Sequence, residues 1–106
     1  MREPAIMTDI KIGAAKGTPR SRLWLEGKLL AVAGFKAGEK FTITVHDDLI
    51  ALDRFSLNPA LPQGTVSGTP DRPIIDLTGK RVRFVFPNQD RAVVRFFPNR
   101  IEFSKD

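Results

Sequence analysis

The sequence predicts one small, mostly β domain with short helices, assembled from two degenerate copies of a single hairpin motif. Three observations carry this. Short segments alternate polar and apolar residues with a period of two. Breaker residues recur at nearly the same spacing in both halves of the chain. The length, 106 residues, is that of one domain with room for one core. The first copy is placed at residues 8–54, a linker at 55–64 and the second copy at 65–104.

Residues 8–12, Thr-Asp-Ile-Lys-Ile, alternate and predict a strand. Gly13 to Pro19 contains two glycines and a proline and breaks it. Lys28-Leu29-Leu30-Ala31-Val32-Ala33 is made of helix formers, and Gly34 suits a left-handed stop. Residues 35–40 connect this two-turn helix to a hairpin. Its first strand, Phe41-Thr42-Ile43-Thr44-Val45, puts Phe41, Ile43 and Val45 on one face. His46-Asp47-Asp48 supplies the turn and Leu49–Leu52 returns. Prolines at 59 and 62 and an Asn-Pro step argue against regular structure over 53–64.

The pattern then repeats. Gly17-Thr18-Pro19 recurs as Gly68-Thr69-Pro70, and Leu25-Glu26-Gly27-Lys28 as Leu77-Thr78-Gly79-Lys80. The hairpin Phe41–Leu52 aligns with Ala92–Phe103, which matches Ile43 with Val94, Val45 with Phe96, Ile50 with Ile101 and Leu52 with Phe103. A duplication implies that each half leaves an apolar face for the other to cover, around a pseudo-twofold axis. Residues 81–86, Arg-Val-Arg-Phe-Val-Phe, resist the repeat. Their alternation suits a strand, whereas their position in the repeat asks for a helix, and the helix is favoured.

Ser21 to Val45 resembles the SymE toxin-like family, within the AbrB, MazE and SpoVT swapped-hairpin superfamily. The resemblance rests on Leu23, Leu25, Gly27, Leu30, Ala33-Gly34-Phe35 and Gly38. The match covers roughly residues 21–54, about a third of the chain, and the second half lacks the Ala-Gly-Phe signature. The resemblance implies two interlocking hairpin motifs in a small swapped-hairpin barrel, here both from one chain. It also implies duplex-DNA binding by a transcription regulator or antitoxin, or RNA-directed toxicity of the SymE kind. The layout further resembles small phage and mobile-element proteins.

Composition narrows the classes. There is no cysteine, so disulfides and thiolate metal sites are excluded and a reducing cytoplasm fits. No apolar run approaches the roughly 20 residues that cross a bilayer, and the first nine residues do not read as a signal peptide. No membrane partner and no cofactor are expected. Seventeen Lys and Arg stand against 12 Asp and Glu, a net charge of +5. Such a surplus attracts phosphate backbones. Tyr is absent and the eight Phe lack a polar tip, so most rings are expected in the core. Trp24, between Leu23 and Leu25, is expected there too.

No catalytic residue is assigned. His46 stands alone with Asp47 and Asp48 at a turn, without a converging third ligand. Ser21, Ser56, Ser67 and Ser104 lack a nucleophile-elbow context. A metal-free nuclease would need cations and His46 around a reacting phosphate, and no spacing singles one out. The candidate nucleic-acid-binding residues are Lys11, Lys16, Arg20, Arg22 and Lys28 in the first half, and Arg72, Lys80, Arg81 and Arg83 in the second. Under a pseudo-twofold they would form one stripe along a duplex. The reading is a non-enzymatic duplex-DNA-binding regulator, either a monomer or a homodimer. The rivals are a protein-interaction module that inhibits or accompanies another enzyme, and an RNA-targeting toxin.

Overall fold

Residues 6–15, 18–55, 60–87 and 89–105 are described by a computed structural model. Among them, ten strands and two short helices form. The first half runs β1 (Ile6–Lys11), β2 (Gly13–Ala15), β3 (Thr18–Glu26), α1 (Lys28–Val32), β4 (Lys40–His46) and β5 (Leu49–Asp53). The second runs β6 (Gln63–Thr65), β7 (Ser67–Thr69), β8 (Arg72–Thr78), α2 (Lys80–Val85), β9 (Arg91–Phe97) and β10 (Arg100–Lys105). The protein is mostly β, and the same succession of elements occurs twice.

The strands build two antiparallel sheets, ordered β1-β9-β10-β5-β4-β6 and β2-β3-β8-β7. Read inward from both edges, each strand meets its counterpart from the other half. The local twofold therefore passes between β5 and β10 in one sheet and between β3 and β8 in the other. Edge strands are exchanged, since β1 pairs with β9 and β6 with β4. The chain passes from one sheet to the other at Ile12 and again at Val66, both buried. At these crossings the Ile12 N–H donates to the Asp90 carbonyl and the Val66 N–H to the Glu39 carbonyl, each at 2.8 Å.

The matched hairpins hold the alignment read from the sequence. Ile43 faces Leu52 and Val45 faces Ile50 in β4·β5. Val94 faces Phe103 and Phe96 faces Ile101 in β9·β10. Across the seam Leu52 meets Ile101 and Ile50 meets Phe103. These residues, with Leu23, Leu25, Ile75 and Leu77 from the other sheet, form one hydrophobic core.

Helix α1 stops where expected. Gly34 has φ +85, its N–H donates to the Ala31 carbonyl, and the Phe35 N–H reaches back to the Leu30 carbonyl, both at 2.9 Å. This double bond pattern is a Schellman stop, and the buried Leu30 and Phe35 seal it. Segment 81–86 is helical up to Val85, because Val82 and Val85 share the buried face of α2. Pro87 then pushes Phe86 out of helical geometry, to φ −123 and ψ 60.

Three expectations change. Gly13 to Pro19 does not simply break the first strand: Gly13–Ala15 forms β2 on β3, and β3 begins at Thr18. The alternation needed to see this is lost among small residues. The last two linker residues, Gln63 and Gly64, join Thr65 in β6, because the edge of β4 offers free backbone groups. Residues 56–59 of that linker lie outside the described residues. Trp24 is not in the core. It stands 40% exposed, because Leu23 and Leu25 take the inward face of β3 and period-two alternation puts Trp24 outside.

The halves are also tied by polar contacts at the end of α1. The Arg54 guanidinium donates to Asn99 Oδ1 at 2.7 Å and to Glu39 Oε2 at 2.8 Å. The Asn99 N–H donates to the Ala33 carbonyl. Asn99 adopts φ +66 in the β9–β10 turn, a conformation Asn tolerates better than most residues. The Arg54 hydrogen bond holds the Glu39 carboxyl below its usual pKa.

Two predictions follow from this geometry. Gly34 (φ +85) is a left-handed stop that costs an L side chain about 1–2 kcal/mol, whereas Gly27 (φ +89, ψ −153) lies in a region of backbone space open essentially to glycine alone. A Cβ at Gly27 meets nothing within 4 Å, whereas at Gly34 it would lie 2.7 Å from Arg54 Nη1. Urea unfolding should therefore show Gly34→Ala losing more stability than the left-handed strain alone, with Arg54→Ala in the same background recovering part of the loss; a loss that Arg54→Ala leaves unchanged would mean that Arg54 yields freely. For Glu39 the folded pKa is lowered, so its stabilisation is present above the usual carboxylate value and disappears as pH falls through the lowered one. The melting-temperature gap between wild type and Glu39→Gln should be steady near neutrality and shrink below about pH 4. A gap that stays constant to pH 3 would contradict this.

Candidate nucleic-acid interface

Antiparallel register decides where the cations lie. Gly13 pairs with Arg22, and Arg22 pairs with Thr78. These three positions form one row across the four-stranded sheet, about 10 Å wide at ~4.8 Å per strand. Lys11 sits two residues before Gly13, and α2 begins two residues after Thr78. Arg22, Lys80, Arg81 and Arg83 therefore gather at one end of the β3·β8 ladder, with Lys11 on the strand that leads into β2. The backbone of Arg20 continues β3 outward from the same row. Lys16 lies outside the described residues.

The remaining two candidates are elsewhere. Arg72 opens β8 beside Glu26 at the far end of the β3·β8 ladder, and Lys28 starts α1 at that same end. Arg22↔Thr78 and Glu26↔Ile74 are four residues apart, about 14 Å along the strand. The twofold thus sends equivalent cations to opposite ends. What collects these cations is the pairing of the middle of β3, at Arg22, with the finish of β8, at Thr78.

The collected cations differ in availability. Arg22 lies against Asp76 in a two-pronged ion pair, Nε to Oδ1 at 2.9 Å and Nη2 to Oδ2 at 2.8 Å, which raises its pKa further. Its guanidinium also covers the Trp24 ring, 4.5 Å from the centroid. Arg72 is paired with Glu26 at 2.9 Å. Lys11, Lys80, Arg81 and Arg83 are exposed and have no ion pair among the described residues. Three of these four belong to α2, whose inward residues Val82 and Val85 anchor it to the core.

The same helix exposes Phe84, at 61%. Six of the eight Phe are buried as expected; Phe55 and Phe84 are not. Phe84 follows Lys80 by four residues and Arg81 by three, so one helical face carries the ring and both cations. Sequence reasoning named the three cations and missed the ring. Placing Val82 and Val85 on the buried face at helical spacing would have exposed it.

The hairpin tip places His46, Asp47 and Asp48 in solvent. Among the described residues no group of three His, Cys, Asp or Glu is placed to hold a metal ion, and no helix is long and apolar enough to cross a membrane. Comparison of the chain with family models, curated proteins and solved structures finds no match.

The sole tryptophan reports on this surface. Acrylamide should quench its emission in the folded protein, and Arg22→Ala should raise the quenching constant by uncovering the ring. Blue-shifted emission resistant to quencher would place Trp24 inside after all.

Proposed function

We propose that this protein is a non-enzymatic, duplex-DNA-binding regulatory protein that grips the phosphate backbone with the outer face of α2 and the adjoining strand ends. The observation that carries this reading is the clustering of Lys80, Arg81 and Arg83 on α2 at one end of the β3·β8 ladder, with Lys11 on the strand leading into β2, all exposed and without an ion pair among the described residues. Cations held this way gain little from the fold, whereas a phosphate backbone supplies a dense row of charges for them. Arg22 and Arg72 contribute less, because Asp76 and Glu26 already occupy their guanidinium groups.

The exchange of edge strands between halves, and the resemblance of residues 21–45 to the SymE and AbrB type of swapped hairpin, support the same reading. The cysteine-free composition suits a cytoplasmic setting. Binding of this kind releases counterions, so affinity falls steeply with salt, with a slope of about −0.9 per phosphate neutralised.

The test is a titration of a short duplex at several salt concentrations. Replacing Lys80, Arg81 and Arg83 together by Gln should make the slope shallower by about 2.7 and leave the melting temperature nearly unchanged. Wild-type binding that ignores salt, or a slope that the triple variant does not alter, would refute the interface.

A further inference from the structure

The two halves provide an internal control for α2. Aligned from their entry glycines, Gly27 and Gly79, the helices match Leu30 with Val82 and Ala33 with Val85 on the buried face. The outward positions have diverged. Ala31 corresponds to Arg83 and Val32, 49% exposed, to the bulkier Phe84, while Leu29, partly buried against the core, is replaced by the exposed Arg81. Both versions support the same local fold, so folding does not ask for a Phe at position 84. A Phe held in water on a six-residue helix among three cations is poorly explained as packing.

We infer that Phe84 is a wedge, which enters a base step of the duplex while Lys80, Arg81 and Arg83 hold the flanking phosphates. This rests on the duplex-binding reading above and goes beyond it by assigning an unstacked, kinked DNA as the bound form. Apolar side chains such as Phe unstack base steps this way when surrounding contacts offset the cost of a few kcal/mol. The arrangement on α2 meets both requirements. The ring projects from a short helix pinned by Val82 and Val85, and the cations stand one turn behind it and beside it. Charge complementarity selects an anionic partner, and flexible pyrimidine–purine steps are where a wedge enters most easily.

The experiment uses the full chain with a duplex carrying 2-aminopurine at a central TA step and a fluorophore pair at its ends. Wild type at saturation should raise the 2-aminopurine emission and shorten the end-to-end distance. Phe84→Ala should keep the salt slope and the melting temperature but lose both signals, and Phe84→Trp should retain them. Binding by wild type without either signal, or signals that survive in Phe84→Ala, overturns the wedge and leaves the backbone interface standing. Absence of duplex binding by wild type overturns both. A parallel titration with anionic phospholipid vesicles completes the test. A blue shift of the Phe84→Trp emission with vesicles and none with duplex would reassign the ring to a lipid surface and overturn the proposal.

Discussion

Neither half of this chain has a core of its own. The contacts that bury its apolar faces run across the pseudo-twofold, through β5·β10 in one sheet and β3·β8 in the other. At the first seam Ile50, Leu52, Ile101 and Phe103 are essentially inaccessible to water. Burying each is worth about 1.5–3 kcal/mol. Four such side chains together match the whole net stability of a domain, about 5–15 kcal/mol. A separated half would keep the conformational cost of its hairpin and lose this compensation. The exchanged strands β1 and β6, and the crossings at Ile12 and Val66, extend the same dependence to the edges.

That constraint also positions the surface. Because β3 and β8 are antiparallel, the helix that follows each strand emerges at the opposite end of the ladder. α1 leaves beside Pro73, whose carbonyl accepts the Gly27 N–H, and α2 leaves beside Arg22. The two ends are equivalent in backbone and unequal in charge. Twofold symmetry in the fold thus leaves Lys80, Arg81 and Arg83 on the helix at one end and Lys28 alone among their counterparts on the helix at the other.

Legibility followed the physics of each segment. The hairpins 41–52 and 92–103 were readable because Phe41–Val45 alternates around a turn signal and the second copy repeats the same apolar positions. The Gly34 stop was readable because few residues accept φ +85. β2 and β6 were not, being three-residue edge strands of small or polar residues whose formation depends on a neighbour's free backbone groups. Trp24 lies outside despite its apolar neighbours because Leu23 and Leu25 claim the inward face of β3. Segment 81–86 shows tertiary context overriding local preference, since its alternation suits a strand and its Val82–Val85 spacing also fits a helix against β3. The cations could be named from the sequence, but their gathering depends on the Arg22↔Thr78 register, which composition does not contain.

The difference between α1 and α2 is the most informative feature of the surface, because it separates folding from use. Positions that face the core stay apolar in both helices, as a shared packing geometry requires. Positions that face water are free of that requirement, and there the helices part: Ala31 and Val32 on one, Arg83 and Phe84 on the other, while the half-buried Leu29 gives way to an exposed Arg81. Adding two arginines beside Lys80 on a six-residue helix places like charges one turn apart or less, which weakens an isolated helix. α2 tolerates this because Val82 and Val85 bind it to the sheet. The burial that builds the twofold core is therefore also what allows one helix to carry a charge density that it could not sustain alone.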